Sequence, residues 1–212
     1  MAAPVGRSSG FMFVLKLPQK KGFFMRKNFG VQTWLYPMPV LMIATYDENN
    51  IPNIMNAAWG GIHDTNQIAV CIDPGHKTAK NLQLRKYFTV SIADASHIAA
   101  CDYVGITSGN DVPDKLTKAG FTAVKAEFAD APVIPELPMT IECRLISYDD
   151  KTGCTVGEIL NISADETVLD DNGKISPDKM EVICFDPVHH TYRKLGAVVG
   201  QAFKDGMKLK DQ

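Results

Sequence analysis

Nowhere in these 212 residues does an apolar run approach the ~20 consecutive residues of a membrane-spanning helix, so nothing in the sequence places the chain across a bilayer. An excess of one charge is equally absent. With 22 Lys and Arg against 24 Asp and Glu, the formal net charge of −2 leaves no basic footprint for nucleic acid or for an anionic membrane surface. The five cysteines, Cys71, Cys101, Cys143, Cys154 and Cys184, stand singly, at spacings that match neither a zinc site nor a Cys-x-x-Cys dithiol. Four of them fall inside apolar runs and are expected as reduced, buried thiols of a cytoplasmic protein. Cys154, beside Gly153 in a turn, is expected to be inert. Nucleotide signatures are missing too. No Gly-x-Gly-x-x-Gly and no P-loop occurs, which excludes the usual dinucleotide and nucleoside triphosphate cradles. Ser108 has no nucleophile-elbow context, and the carboxylate pairs Asp149-Asp150 and Asp170-Asp171 sit in turn sequences, so hydrolase chemistry has no obvious seat.

What is present reads as one β-rich domain. Residues 1–24 do not look like its start; Phe11–Leu17 is apolar but short and runs into Pro18 and Lys20-Lys21, so a leader or upstream extension is expected, with the domain over 25–212. Strands are expected at Val40–Tyr46 and Pro52–Ala58 as a hairpin, then at Ile68–Ile72, Phe88–Ile92, Met139–Tyr148, Thr155–Ile162 and Val182–Phe185. Short helices fit between them: Thr78–Lys86 with Thr78 as its cap and Leu82 and Leu84 inward, His97–Val104 capped by Ser96, and Lys115–Ala119 closed by Gly120. The tail Tyr192–Phe203 sets Leu195, Val198, Val199 and Phe203 on one helical face. Hairpin-connected strands with helices in the crossovers predict an antiparallel barrel or sandwich rather than a doubly wound sheet.

The stretch Ile51–Leu82 carries the chemistry. Pro52-Asn-Ile-Met-Asn-Ala-Ala-Trp-Gly-Gly61 is a strand with small residues beside one large aromatic, and Ala57, Ala58, Gly60 and Gly61 would let a planar ligand approach the backbone. Trp59 reads as a core or interface residue, or as a neighbour of such a ring. His76-Lys-Thr-Ala-Lys-Asn-Leu82 offers Lys77, Thr78 and the free amides of a helix start, a combination that attracts phosphate; alone, Lys77 would be a solvated surface charge and Asn81 a tie for the turn. His76 either donates to the anion or caps the turn. The histidines His189-His190 are adjacent, so on a strand they face opposite ways and do not easily share a metal; they read as surface histidines, and no metal site is expected.

Taken in order, Pro39-Val with Thr45-Tyr-Asp, the Pro52–Gly61 and His76–Leu82 segments, Gly105-Ile-Thr-Ser-Gly-Asn-Asp with Asp114-Lys115, and Tyr192-Arg-Lys-Leu-Gly196 resemble the flavin reductase-like, FMN-binding split-barrel family, flavoredoxin type, from about Met25 to Phe203. The resemblance implies a mainly β, six-stranded antiparallel Greek-key split barrel that forms a homodimer, with FMN in a groove at the dimer interface. It also implies an oxidoreductase taking electrons or hydride from a nicotinamide, NADH or NADPH, or from a redox protein. Asn53, Asn56, Ala57, Ala58, Trp59 and Gly60 would then line the flavin ring, and His76, Lys77, Thr78 and Asn81 would hold the phosphate. Ser108 and Lys115 would approach from their loop, and Phe185 would pack near the ring. Where relatives carry a His-Thr pair, this chain has Thr152, Gly153 and Cys154, and its Asn110–Lys115 loop is one residue longer than usual. The alternatives are a flavin-carrying module that does not itself oxidise NAD(P)H, and a barrel that binds no flavin.

Overall fold

Leu41–Tyr46 (β1) is apolar at nearly every position because both of its faces are covered. Leu41 and Ile43 enter one core, and Met42 and Ala44 a second. The strand lies inside a seven-stranded antiparallel sheet, seen in a computed structural model that describes residues 25–210; the leader expected over 1–24 lies outside the described residues. Residues 25–32 belong to a first small unit and are exposed chain without regular structure, and the second unit begins at Thr33.

The other strands of this sheet are Pro52–Ala57 (β2), Gly60–Asp64 (β3), Gln67–Cys71 (β4), Tyr87–Ile92 (β5), Met139–Tyr148 (β6) and Cys154–Ala164 (β7), in the order β2-β1-β5-β6-β7-β4-β3. The two outer strands, β2 and β3, are consecutive in the chain and separated only by Ala58-Trp59. Two residues span at most about 7 Å, so the sheet has to curl until its edges meet, and the expected split barrel follows. Gly60 makes that corner fit: a Cβ there would lie 2.6 Å from Val70 Cγ1 and 2.8 Å from Leu41 Cδ1. Inside the curl, Leu41, Ile43, Val70, Leu82, Phe88 and Val90 form one core, and Phe88 reaches across to β7, where a Cβ on Gly157 would lie 2.4 Å from its ring. Met42, Ile54, Val104, Phe121, Ile134 and Ile183 form the second, under the helices.

Three helices position the site: Lys77–Arg85 (α1), Ile98–Ile106 (α2) and Lys115–Lys118 (α3). A hairpin of Ile183–Asp186 (β8) and Thr191–Lys194 (β9) pairs with the short strand Met38–Pro39. Tyr36, Arg193 and His189 all bond the Asp186 carboxylate, which ties this hairpin to the chain entering β1. Burial works against that charge, but the Tyr36 hydroxyl, the largest influence, with His189 and Arg193 holds the carboxyl far below its usual range.

Several local expectations are corrected. Residues 192–203 are not a helix: Thr191–Lys194 is the second strand of the hairpin, and Leu195–Gly200 has no regular structure, with Val198 and Val199 exposed. A strand edge was open to Tyr192, and Gly196 and Gly200 weaken any helix there. Position 76, not Thr78, caps α1, because Thr78 is drawn inside by its bond to Asn53. Asp94 rather than Ser96 caps the next helical segment, its carboxylate accepting from the amides of Ser96 and His97. Helix α2 also runs through Gly105 to Ile106. Leu84 faces solvent on α1, and Cys71 is exposed because it shares the outward face of β4 with Gln67 and Ala69. Gly60–Asp64, read from sequence as the end of one glycine-rich segment, is a strand of its own.

A candidate cofactor groove

Along the C-terminal half of α2, three recesses adjoin. A central cleft of about 200 Å³ lies between Asn53, His76, Lys77, Thr78, Ser108 and Lys115. It shares Gly105 and Ile106 with a recess of about 270 Å³ walled by Asn56, Ala57, Ala58, Asp102, Phe185 and Tyr192. At its other end it shares Lys77 and Gly109 with a polar recess of about 290 Å³ that includes Lys80, Asn81 and Asn110. The result is one groove, aromatic and amide-lined at one end and charged at the other, where Lys77 and Lys80 stand beside Asp47 and Glu48.

Glycine makes the groove close-fitting. On Gly105 a Cβ would meet Asn56 Cβ at 2.9 Å, so α2 lies directly on β2. On Gly109 it would meet Asn53 Oδ1 at 2.1 Å and Lys77 Cδ at 3.3 Å, so the loop after α2 presses bare backbone against the strand. Asn110 fastens the same loop to the turn before α1, its amide donating to the Gly75 carbonyl at 3.0 Å. Ser108 is exposed, and its hydroxyl accepts from the Asn110 amide.

At the charged end, Asn53 is buried and donates to the Thr78 hydroxyl at 2.8 Å, while Asn81 is buried and donates to Thr45 at 3.0 Å. The two asparagines thereby pin α1 to the strands below it. His76 sits at the cap with no side-chain bond to the helix, and the amides of Lys77 and Thr78 lie in the first turn, ahead of the intrahelical ladder. The Lys77 ammonium is 3.0 Å from Asp47 Oδ2. Burial raises the Asp47 carboxyl, but the Ile51 amide, Lys77 and the Asn49 amide together outweigh it and hold the group below its usual range. Lys115 lies at the floor of the cleft, only 3% exposed, and its ammonium donates to the carbonyls of Val104 at 2.8 Å and Thr107 at 2.7 Å. It caps the end of α2 rather than reaching outward. Burial first, and the nearby charge of Lys77 second, lowers its pKa to about 8.

At the aromatic end, the Asn56 amide donates to the Cys101 carbonyl, and Phe185 stacks on His190 at 6.4 Å between ring centres. Tyr192 donates to Asp102 Oδ1 at 2.7 Å; burial and then that carboxylate push its hydroxyl up to about 12, so it stays protonated. Ala57 is buried and Ala58 half-buried. Trp59 stands at the corner, 55% exposed and outside the three recesses, and Gly60 serves the corner's packing.

The structure therefore brings Asn53, Asn56, Ala57, Ala58, His76, Lys77, Thr78, Asn81, Ser108, Lys115 and Phe185 to one groove, and leaves Trp59 and Gly60 beside it. Sequence reasoning assigned no role to Asp47, Asp102 or Tyr192. Tyr192 and Asp47 were visible as members of the Tyr192–Gly196 and Thr45-Tyr-Asp motifs, though neither motif shows its partner, and Asp102 carries no local signal. Among the described residues there is no cluster of three or more His, Cys, Asp or Glu able to hold a metal, and no helix long and apolar enough to cross a membrane.

Residues 33–195 match the family described as Flavin reductase like domain. Among solved structures, the flavoredoxin of Desulfovibrio vulgaris (Miyazaki F) is similar at 37% identity and a TM-score of 0.82, covering 86% of this chain and 100% of that one. A flavoredoxin from Methanosarcina acetivorans is similar at 26% identity and a TM-score of 0.78, covering 89% and 100%. An FMN-binding domain of a flavin reductases-like enzyme from Shewanella baltica OS155 shares the fold, with 19% identity and a TM-score of 0.69 over 77% and 88%.

Proposed function

Because the chain belongs to the family of flavin reductase like domains, we propose that it is an FMN-binding oxidoreductase of the flavoredoxin type, taking electrons from NADH, NADPH or a redox protein. The observation that carries this reading is the groove itself. It joins a recess of aromatic walls and small residues to a lysine at a helix start, which is the complement of a flat ring linked to a phosphate. The absent side chains of Gly105 and Gly109 let α2 and the loop after it close onto Asn56 and Asn53 of β2, which sets the width of the groove.

When bound, FMN supplies the hydride and electron chemistry. The chain's residues bind and orient it. Phe185 and Tyr192 wall the ring, and Asn56–Ala58 present polar backbone to its edge, where oriented dipoles favour negative charge as it develops. Lys77 and the first amides of α1 take the phosphate, which competes with Asp47 for the ammonium. Asn81 and Lys115 act as positioning residues, one holding α1 on β1 and the other holding the end of α2. A second copy of the chain, covering exposed apolar side chains such as Trp59, Ile62 and Val199, completes the reading as a homodimer; size-exclusion chromatography with light scattering checks it, and a monomer at working concentration would remove that part.

The test is an absorbance spectrum of the purified protein before and after denaturation and filtration, followed by FMN titration and assays with NADH and NADPH. Flavin bands that pass to the filtrate, or saturable FMN uptake, are expected. A colourless protein that takes up no FMN overturns the proposal. Bound flavin that neither nicotinamide reduces, but a ferredoxin-like donor does, selects the carrier reading instead.

A further inference from the structure

The sheet register sets Cys71, the last residue of β4, directly opposite Cys154, the first residue of β7. The two do not exchange backbone hydrogen bonds. Cys71 donates its amide to the Trp59 carbonyl at 2.8 Å, Cys154 donates its amide to Thr152 Oγ1 at 3.2 Å, and the Cys154 carbonyl accepts from the Asp149 amide at 2.9 Å. The neighbouring pair is bonded, with the Ile72 amide donating to the Gly153 carbonyl at 2.8 Å. Cys71 and Cys154 are therefore a narrow, non-hydrogen-bonded pair of an antiparallel ladder, in which Cα atoms stand about 4.5 Å apart. A disulfide accepts Cα separations of about 4.4 to 6.8 Å.

The side chains also face the same way. Directly opposed residues share one face of a sheet, and the next pair, Val70 and Thr155, points into the buried interior. The two thiols consequently project outward, Cys71 exposed and Cys154 half-buried. Cys101 and Cys143 differ: both are buried, and burial pushes their thiols up to about 12, which keeps them protonated and unreactive.

We propose that Cys71 and Cys154 form an oxidisable dithiol that small disulfides, such as oxidised glutathione, convert into a cross-strand disulfide. The Cys71 thiolate attacks one sulfur of the oxidant, forming a mixed disulfide and releasing one thiolate. The Cys154 thiolate then attacks the Cys71 sulfur, forming the internal bond and releasing the second thiolate. Two electrons pass to the oxidant's S–S bond, and the two protons from the cysteines end on the two released thiols. The new bond would fasten β4 to β7 immediately before the Asp73–His76 turn that leads into Lys77. The pair stands on the strand register and does not depend on the flavin reading.

The experiment treats the full-length protein, with whatever flavin it retains, with oxidised glutathione, alkylates the remaining thiols, and maps the products by mass spectrometry without reduction. The expected result is an intact mass, taken before alkylation, lower by two hydrogens, one peptide pair linked through Cys71 and Cys154, and full reversal by dithiothreitol. Cys154→Ser is expected to trap the glutathione adduct on Cys71, and Cys71→Ser to leave Cys154 open to alkylation, with circular dichroism confirming that both variants fold. A wild-type adduct that persists on Cys71 beside a free Cys154 would overturn the proposal. So would two unmodified thiols, or a link between separate chains.

Discussion

Replacing Lys115 by methionine tests whether the floor of the groove is built on a buried charge. The lysine is 3% exposed and has only the Val104 and Thr107 carbonyls for its ammonium. Its pKa falls from 10.5 to about 8, mainly through burial and secondarily through Lys77. In the unfolded chain it keeps its proton up to about pH 10.5, so between about pH 8 and 10.5 the unfolded state holds more protons than the native one, and stability rises with pH. The interval, 10.5 less 8, is about 2.5 and corresponds to about 3 kcal/mol, of which about 2 kcal/mol is gained between pH ~7 and pH ~9.5. The neutral amine still donates to both carbonyls, whereas methionine donates nothing. In flavin-free protein, urea unfolding at matched pH values should therefore show the signed stability gap, wild type minus Lys115→Met, rising by about 2 kcal/mol over that range. Groups that titrate in both proteins cancel in the difference. A gap that stays constant, or falls as pH rises, would refute the account.

Further outcomes can be read at the same groove. Gly109→Ala puts a methyl group 2.1 Å from Asn53 Oδ1 and must break the Asn53–Thr78 bond or lift the loop; it is expected to cost about 1 to 3 kcal/mol of stability and to weaken FMN binding about tenfold or more, by denaturation and by fluorescence titration, and wild-type affinity would show that the loop does not shape the site. Lys77→Ala should weaken FMN about tenfold or more by removing a charge-assisted contact, whereas Asp47→Asn frees Lys77 and should tighten it; calorimetry giving the same sign for both would disprove the competition between carboxylate and phosphate.

The sequence disclosed the fold well where one physical cause dominated. Leu41–Tyr46 and Met139–Tyr148 are long, apolar or β-branched runs, and both formed strands close to the expected bounds. It disclosed less where neighbours decided. Thr78 has the chemistry of a helix cap, but a buried asparagine from β2 claimed its hydroxyl. Tyr192–Phe203 has a helical spacing of apolar residues, yet Ile183–Asp186 offered an open edge and the first part of the segment paired with it. Gly60–Asp64 is too short and glycine-rich to announce itself as a strand, and it forms because the curling sheet brings its partner β4 alongside. In the groove, small residues and the Lys77–Thr78 turn were legible because their chemistry is local. The roles of Asp47 and Asp102 were not, since each acquires its meaning from a residue far away in the chain, Lys77 and Tyr192 respectively.

The Ala58-Trp59 corner has a bearing on when the protein becomes competent, not only on its shape. It joins strands at opposite ends of the hydrogen-bonded order, so it can settle only after every intervening strand is in place. The ring end of the groove also needs Phe185 and Tyr192, contributed by the last hairpin of the chain. Loop-closure entropy makes such distant pairings late events in folding. A chain lacking its last hairpin would accordingly have the phosphate end of the groove without the walls of its ring end, and flavin uptake would report on completed assembly. In a refolding experiment, quenching of flavin fluorescence should trail the recovery of β-sheet circular dichroism; simultaneous recovery would mean that the groove is made early.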